Sequence, residues 1–323
     1  MSPVKVLLLG ATGHTGRSIL DGLTENGNYS IELFVRPSSV EKPAVKDLAQ
    51  NGLPIRVGDL DGPVEDLVYL LSGFDLVISA IDALSQLAQI TLAKAAKEAG
   101  VGRFIPCGFT IVCPPGCYAV ARSGKTKEEV YQYLKELRLP FTIIDVGYWY
   151  QLSFPTLPSG RVDYATPLVP NVTIHNDGLA TNLLTDLRDI GRFVARIATD
   201  NRTLNQYVYT YGDLLSEMEI FGMMEEISGE KIERRSVSTQ EIESAMQRAQ
   251  DAYSVDSKSM GNLFALYVAQ YNYSKYVRCD NTPQGAEALG YLSARELYPE
   301  FQPTKFVDFL KEVLDGKGVN PYA

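Results

Sequence analysis

The sequence predicts an α/β protein with a doubly wound parallel sheet and a second, smaller C-terminal α/β lobe. Three observations support this prediction. The chain has 323 residues, which is more than a single hydrophobic core usually holds. Apolar runs of strand length alternate with amphipathic stretches of helical length through residues 1–145. A glycine-rich loop directly follows the first apolar run.

The alternation starts with the apolar run at residues 4–9 and continues as repeated β-α-β units. The candidate strands are residues 4–9, 31–35, 55–57, 76–80, 103–106 and 141–145. The candidate helices between them are residues 16–25, 44–51, 64–71, 84–99 and 124–137. Strands that are apolar on both faces are typical of a parallel sheet covered by helices.

The pattern changes near residue 147, where proline, glycine and aromatic residues replace the alternation. We therefore expect one unit over residues 1–150 and a smaller lobe over residues 151–323, which can return strands to the first unit. One such strand is predicted at residues 206–211. The interface between two such lobes is where a ligand pocket is usually found.

Composition and charge exclude several functional classes. The formal net charge is −9 and the basic residues form no run, so we expect no nucleic-acid partner and no anionic membrane surface. The fractions of hydrophobic residues, 45%, and charged residues, 21%, are typical of a folded globular protein. The apolar run near the N-terminus is too short for a signal peptide or a spanning helix, so we expect a cytoplasmic location.

The cysteines do not predict a metal site. Without a secretory signal, the four cysteines are expected to remain thiols. The spacing of Cys113 and Cys117 resembles that of metal ligands, but His14 and His175 lie far away in the sequence, and neither has an identifiable partner. We therefore expect no metal.

The glycine-rich loop at residues 10–16, GATGHTG, is the strongest functional motif. Its glycines allow backbone N–H groups to approach a pyrophosphate, whose charge the following helix N-terminus favours. Strand, loop, helix and second strand follow one another within about 35 residues, the context of a Rossmann-like dinucleotide-binding unit. The loop residues expected to bind the cofactor are Gly10, Thr12, Gly13, His14, Thr15 and Gly16.

Arg36 indicates which dinucleotide binds. It ends the second predicted strand, about 20 residues after the last loop glycine, where NAD-dependent proteins usually carry an acidic residue for the ribose hydroxyls. An arginine at this point favours the 2′-phosphate of NADPH. A solvated surface arginine is the alternative interpretation.

The loop spacing GxxGxxG resembles that of the short-chain dehydrogenase superfamily. The segments at residues 58–60, 74–80 and 103–106 are similar to its atypical group, which includes isoflavone reductase, phenylcoumaran benzylic ether reductase and the regulator NmrA. Residues 189–191 and 203–209 extend the similarity over nearly the whole chain. The resemblance to this NmrA-like and isoflavone reductase-like family implies a cofactor site that also includes Asp59, Ser79, Ala80, Cys107, Phe109 and Lys127.

The resemblance also indicates a catalytic lysine. Orthodox short-chain dehydrogenases use Tyr-x-x-x-Lys, and the chain contains one such match, Tyr131 to Lys135. In isoflavone reductase-like proteins, however, the lysine precedes the proline of the sixth strand by 13 residues, and counting back from Pro140 gives Lys127. Ser123 stands where the orthodox tyrosine would be.

Helical spacing supports Lys127 independently. Lys127, Val130, Tyr131 and Leu134 are spaced at i, i+3, i+4 and i+7, so they share one helix face, whereas Lys135 lies on another. A lysine in a partly desolvated cleft has a lowered pKa and can act as an acid/base. The alternative is a lysine that only forms salt bridges on the surface.

The segment after the fifth strand departs from the plant reductases. Those proteins carry Pro-Ser-Glu-Phe-Gly, whereas residues 106–110 are PCGFT. Phe109 is retained and can lie against a nicotinamide ring and the substrate, but the acidic residue is missing. Cys107 has no recognisable base nearby, so we interpret it as part of the pocket lining.

Aromatic residues after the sixth strand are candidates for the substrate wall. Tyr148 and Trp149 are predicted to bind substrate, and a second cluster follows at Tyr267, Tyr271, Tyr273 and Tyr276. Core packing explains such clusters equally well.

These observations favour an NADPH-dependent reductase. We expect it to deliver hydride to a small aromatic, polyketide-like or conjugated carbonyl substrate of the enone type in specialised metabolism, as a monomer or homodimer. Lys127 would be its acid/base. Two alternatives remain open: a non-catalytic NAD(P)-sensing regulator like NmrA, and an isomerase or cyclase that uses the same scaffold without redox chemistry.

Overall fold

The fold is seen in a computed structural model that describes residues 2–82, 85–114 and 121–322, without the side chains of residues 121–126. The strands are β1 (Val4–Leu9), β2 (Tyr29–Val35), β3 (Ile55–Val57), β4 (Leu76–Ser79), β5 (Arg103–Ile105), β6 (Thr142–Asp145), β7 (Tyr148–Trp149), β8 (Thr173–His175), β9 (Thr181–Thr185), β10 (Gln206–Tyr209), β11 (Asp213–Ser216), β12 (Arg235–Val237) and β13 (Leu292–Ser293).

The helices mostly follow the strands in alternation through the first half of the chain. They are α1 (His14–Asn26), α2 (Pro43–Gln50), α3 (Val64–Leu71), α4 (Ala88–Glu98), α5 (Ala121–Glu136), α6 (Leu187–Ile197), α7 (Glu217–Ser228), α8 (Thr239–Val255), α9 (Met260–Tyr273), α10 (Pro283–Ala288), α11 (Ala294–Leu297) and α12 (Phe306–Leu314).

The first five strands form one parallel sheet in the order β3-β2-β1-β4-β5. β1 is central, with Val6 opposite Ile31 of β2 and Leu76 of β4. The order reverses direction on the two sides of β1, as in a doubly wound sheet. The predicted fold class is therefore confirmed.

The alternation of side chains along β1 explains why helices cover both faces of the sheet. Val6 and Leu8 belong to one buried cluster, which contains apolar residues of α1, α2 and α6. Leu7 and Leu9 belong to a second cluster, which contains those of α3, α4 and α5. Helices cover both faces of β1, so its four buried residues, 6–9, are all apolar.

Strand and helix ends agree closely with the sequence prediction. β1, β3 and α3 have the predicted bounds, whereas β2 begins two residues earlier, at Tyr29 rather than at residue 31. α4 begins at Ala88, and the predicted start of this helix, Leu84, lies outside the described residues.

Strands from the C-terminal half continue the parallel arrangement. Phe104 of β5 forms a single parallel bridge with Phe141, just before β6. β6 pairs in parallel with β10, and β10 pairs in parallel with β13. The C-terminal half therefore returns two strands beside β6.

Helices α1 and α6 approach each other so closely that their backbones touch. A Cβ on Gly191 would lie 1.7 Å from the carbonyl oxygen of Ser18, and a Cβ on Gly22 would lie 2.1 Å from the carbonyl carbon of Gly191. The backbone N–H of Gly191 also donates to the Ser18 hydroxyl at 2.9 Å. Glycine is needed at both positions because any side chain would separate the helices.

One expectation about the cysteines is wrong. Cys107 and Cys279 are free thiols, but Cys113 is disulfide-bonded. The expectation rested on the cellular compartment alone and took no account of how closely the fold brings cysteine sulfurs together. Cys117 lies outside the described residues.

Within the described ranges, no helix combines the length and the apolar character that a membrane span requires.

Candidate active site

A cavity of about 1730 Å³ opens where the sheet strands end. Its lining begins at the carboxyl ends of β1, β2 and β4, continues past the segment after β5, and reaches α9 and the strands of the C-terminal half. The carboxyl edge of a doubly wound sheet is where such folds bind their ligands.

The glycine-rich loop forms one end of this cavity. Gly10 has φ +82°, and a Cβ there would lie 2.2 Å from the carbonyl oxygen of Ala80, while a Cβ on Gly16 would lie 2.0 Å from that of Gly10. Gly13 is different, because its nearest neighbour would be 3.5 Å away. Close packing of the loop thus requires Gly10 and Gly16, and Gly13 leaves open space towards a ligand.

The start of α1 suits an anion. Its N-cap, Gly13, offers no side-chain hydrogen bond, and the first turn contains no acidic residue. Gly10, Thr12, Gly13, His14 and Thr15 all line the cavity, whereas Gly16 lies behind them. The N–H groups at this helix end therefore need a partner that a phosphate can supply.

Arg36 and Asp59 lie at the edge of the cavity, and both are exposed. Arg36 immediately follows β2, and Ser39, in the short helical turn after it, also lines the cavity. The hydroxyl of Ser39 is a further candidate for this edge. No sequence pattern distinguishes it from an ordinary loop serine. Asp59 accepts a hydrogen bond from the backbone of Asp61 at 3.0 Å.

Ala80 and Ser79 occupy different environments at the end of β4. Ala80 lines the cavity, whereas Ser79 is fully buried and does not. Its hydroxyl has no hydrogen-bond partner among the described residues. The structure therefore places Ser79 beneath the cavity.

Phe109 has an unusual backbone conformation. Its φ is +45°, in the left-handed region that a bulky residue rarely adopts. The conformation is held by a 2.8 Å hydrogen bond from the Phe109 N–H to the carbonyl oxygen of Ile144, and by another from Val146 to Thr110. Such strain is typical of functional sites. It places the buried ring of Phe109 against the cavity.

Lys127 reaches the same part of the cavity from α5. Its Nζ donates a 2.7 Å hydrogen bond to the carbonyl oxygen of Gly108, and burial lowers the pKa of the ammonium. Val130 and Leu134 on the same helix face are fully buried, as the spacing predicts. Lys135 is exposed, lies over the ring of Tyr207, and does not line the cavity.

Asp145, which the sequence analysis missed, does not line the cavity but interacts electrostatically with Lys127. It ends β6, is buried, and has one carboxyl oxygen without a hydrogen-bond partner among the described residues. Burial raises the pKa of Asp145 to about 7, and Lys127 and Tyr291 oppose that rise. The sequence signal that could have identified Asp145 is its position as an acidic residue at the carboxyl end of a predicted strand.

Cys107 is not an activated thiol. Burial raises its pKa despite the opposing charge of Lys127, and its Sγ donates to the carbonyl oxygen of Ile81 at 3.1 Å. Its backbone N–H donates to Gln89 at 2.7 Å. These bonds fix the segment that carries Phe109, so they support the interpretation of Cys107 as pocket lining.

Aromatic and apolar side chains form the walls beyond Phe109. Tyr148 and Trp149 line the cavity together with Tyr271, whose hydroxyl lies 2.9 Å from that of Thr110. The rings of Tyr148 and Tyr271 are 5.7 Å apart. Helix α9 adds Leu263, Phe264 and Tyr267. This part of the cavity is suited to a flat, apolar ligand.

His175 has a partner that the sequence did not reveal. Its Nδ1 lies 2.8 Å from Oε1 of Glu217, its backbone N–H donates to Oε2 at 2.7 Å, and its ring stacks on Tyr276 at 4.1 Å. Lys275, adjacent to Tyr276, is buried at the same end of the cavity. The described residues contain no cluster of three or more histidine, cysteine or acidic residues that could hold a metal.

Comparisons with known proteins agree with this architecture. Residues 3–310 match the NmrA-like family. The chain is 38% identical over 316 residues to asnovolin J 5′,6′-dehydrogenase of Aspergillus novofumigatus, covering 97% of this chain and 96% of that protein. It is 27% identical to phenylcoumaran benzylic ether reductase of Betula pendula, covering 95% and 98% respectively.

A solved structure has the same fold. The complex of leucoanthocyanidin reductase from Vitis vinifera with NADPH superposes with a TM-score of 0.80, at 22% identity, over 96% of this chain and 99% of that chain.

Proposed function

This chain belongs to the NmrA-like family, and we propose that it is an NADPH-dependent oxidoreductase acting on a small aromatic or conjugated carbonyl compound. The observation that carries the proposal is the position of Lys127. Its partly desolvated ammonium lies beside Phe109, in the same cavity as the phosphate-binding loop.

The residues fit a phosphorylated dinucleotide. Gly13 leaves space for a pyrophosphate, and the uncapped N-terminus of α1 supplies N–H donors and a favourable dipole. Arg36 and Ser39 present a cation and a hydroxyl at the edge where the 2′-phosphate of NADPH is expected. The complex of leucoanthocyanidin reductase with NADPH supports this choice of cofactor.

When bound, NADPH supplies a hydride equivalent. The chain's own contribution is to hold the proton that must accompany it. A charged Lys127 carries three N–H donors, of which one is directed at Gly108. The other donors have no partner among the described residues and can meet a substrate oxygen. The lowered pKa of its ammonium makes proton donation easier than for an exposed lysine.

Asp145 is proposed to position this lysine rather than to touch the substrate. Its carboxyl is buried near Lys127 and interacts with it electrostatically. An ionised Asp145 favours the charged lysine, and a protonated one favours the neutral lysine. The pair can therefore keep one proton ready beside the cavity.

The walls favour an aromatic substrate. Phe109, Trp149 and Tyr271 present ring surfaces to the cavity, which can pack against a planar ligand and exclude water. Two relatives act on carbon frameworks named as asnovolin J and a phenylcoumaran benzylic ether. A multi-ring or polyketide-like compound with a conjugated carbonyl fits both observations.

A panel assay tests this function. The purified protein is incubated with NADPH and aromatic enones and ketones, and with NADP⁺ and the corresponding saturated compounds, while absorbance at the nicotinamide band and product mass are followed. We expect turnover of at least one class. Tight cofactor binding without any turnover would favour the regulator, and conversion without cofactor consumption would favour an isomerase or cyclase.

A further inference from the structure

Lys275 is a buried cation that the reaction described above does not use. The residue is 4% exposed, yet it lines the cavity. Its nearest charge-stabilising contacts are the ring faces of Tyr148, 3.6 Å from Nζ, and Tyr276, 4.8 Å away. Aromatic faces stabilise an ammonium only in part, and within the described part of the chain no oxygen accepts a hydrogen bond from Nζ of Lys275.

An uncommon backbone conformation positions Lys275. It belongs to a π-helical turn, Ser274–Arg278, that directly follows α9. Asn176 fixes this turn by donating to the carbonyl oxygen of Tyr276 at 3.0 Å, and the Ser274 hydroxyl donates to Asp280 at 2.8 Å. π-helical turns are rare and occur frequently at functional sites.

Glu217 is the acidic residue that acts electrostatically on Lys275, but its carboxylate is hydrogen-bonded to other groups. It accepts from the backbone and ring of His175, and from the hydroxyl of Tyr276. Its charge raises the pKa of Lys275, but burial outweighs it and lowers the pKa to about 8. Burying an ammonium without a bonded acceptor costs free energy, so packing alone gives no reason to retain it.

The position of Lys275 relative to Phe109 is set by a chain of contacts. Thr110, next to Phe109, is hydrogen-bonded to Tyr271. Tyr271 packs against Tyr148, and the ammonium of Lys275 lies over the ring of Tyr148. Lys275 is therefore separated from Phe109 by two aromatic side chains that line the same cavity.

We propose that Lys275, supported by His175, Glu217 and Tyr276, forms a binding site for an acidic oxygen of the substrate. The group it takes is a carboxylate or an ionised phenol or enol, attached to an aromatic ring. This inference deepens the proposed function, on which the identity of the ligand as substrate rests. It predicts that acidic aromatic compounds bind better than neutral ones of the same shape.

Calorimetry with benzoate and its neutral isostere benzamide tests the proposal on the NADP⁺-saturated protein and on the free protein. Wild type is expected to bind benzoate at least about tenfold more tightly than benzamide, since a charge-assisted hydrogen bond is worth about 1.5–3 kcal/mol. Lys275→Met should remove this preference without changing benzamide affinity. Lys135→Met is the matched control, because Lys135 also lies over a tyrosine ring but outside the cavity.

Thermal unfolding separates binding from a structural role. Lys275→Met replaces a desolvated ammonium by an apolar group of similar length, so its melting temperature should equal or exceed that of wild type. If this variant does not fold, Lys275→Gln takes its place and must show the same loss of preference. Equal binding of benzoate and benzamide by wild type, or an unchanged preference in the folded variant, overturns the proposal.

The readout is binding, so it does not depend on turnover. The proposed function fails if no substrate exchanges hydride with the cofactor, whereas the Lys275 site fails if acidic and neutral ligands are not distinguished.

Discussion

Lys127 donates its hydrogen bond to the carbonyl oxygen of Gly108, the residue that precedes Phe109. One bond therefore links the candidate acid/base to the segment that carries the candidate nicotinamide-facing ring. A Cβ on Gly108 would lie 3.0 Å from the Tyr131 hydroxyl and 3.0 Å from the carbonyl oxygen of Ile144. The tight fit at Gly108 means that the lysine is held against a rigid support.

Lys127→Ala should reduce turnover by a factor of about 10² or more, as for the loss of a general acid/base. The affinity for NADPH should change only slightly, because Lys127 lies away from the phosphate loop. Steady-state kinetics on a substrate found in the panel, with cofactor titrations, measure both quantities. Lys135→Ala, which removes the lysine of the literal Tyr-x-x-x-Lys match, should be nearly silent. An inactive Lys135 variant with an active Lys127 variant would contradict the assignment.

Arg36→Ala should remove most of a preference for NADPH over NADH. Charge-assisted hydrogen bonds are worth about 1.5–3 kcal/mol, so the affinity for NADPH should fall about ten- to hundredfold while that for NADH stays constant. The single tryptophan, Trp149, lines the same cavity, and quenching of its fluorescence reports binding. Arg17→Ala is the control, since Arg17 is an exposed arginine of α1 paired with Asp21. Equal wild-type affinities for both dinucleotides would refute the prediction.

Gly13→Val should abolish dinucleotide binding and leave the fold intact. Among the described residues, a Cβ at this position would meet the carbonyl oxygen of Gly10 at an ordinary 3.5 Å, so the side chain should enter the space proposed for the pyrophosphate. Circular dichroism and the same fluorescence titration measure the two effects. Gly222→Val, at a helix position with no atom within 4 Å, should keep normal binding. Normal binding by a folded Gly13 variant would count against the loop assignment.

Asp145→Asn should change how stability depends on pH. In wild type, the raised pKa of Asp145 means that the unfolded chain ionises this group first, so its contribution to stability is present below about pH 4 and is lost as the pH rises towards 7. The facing groups Cys107, Tyr131 and Tyr291 have raised pKa values and stay uncharged in this window. Asp145→Asn should lack this pH-dependent loss of stability.

The measurement is urea unfolding of both proteins between pH 4.5 and 6.5. The difference in unfolding free energy, wild type minus variant, should fall by up to about 1.4 kcal/mol per pH unit. A constant offset across the range would mean that Asp145 is ionised in the folded protein. Asp61→Asn, at an exposed loop position, is the matched control for the loss of one carboxyl group.

Local sequence patterns were enough to predict the strand, loop and helix positions at the end of the cavity that carries the glycine loop. β1, the glycine loop and α3 depend on neighbouring residues only, and their positions agree with the prediction. Lys127 could be placed because a helix face follows from spacing within one segment.

The other end of the cavity could not be predicted in this way. His175 and Glu217 are 42 residues apart, and they meet only because β8 and the start of α7 converge on one end of the cavity. In the sequence, Lys275 is not distinguished from other lysines, because no sequence pattern predicts a π-helical turn. Asp145 could not be identified either, because its raised pKa comes from burial in the folded protein, which no local sequence pattern predicts.

The backbone contact between α1 and α6 has a mechanical consequence for the cofactor end. α1 begins at the glycine-rich loop, and α6 belongs to the C-terminal half of the chain. The backbone contact between Gly22 and Gly191 therefore joins the two halves. A hinge motion that separated the two halves here would have to break the backbone contact between α1 and α6. We therefore expect any opening of the cavity at the rim where α9 carries the exposed side chains of Met260 and Phe264.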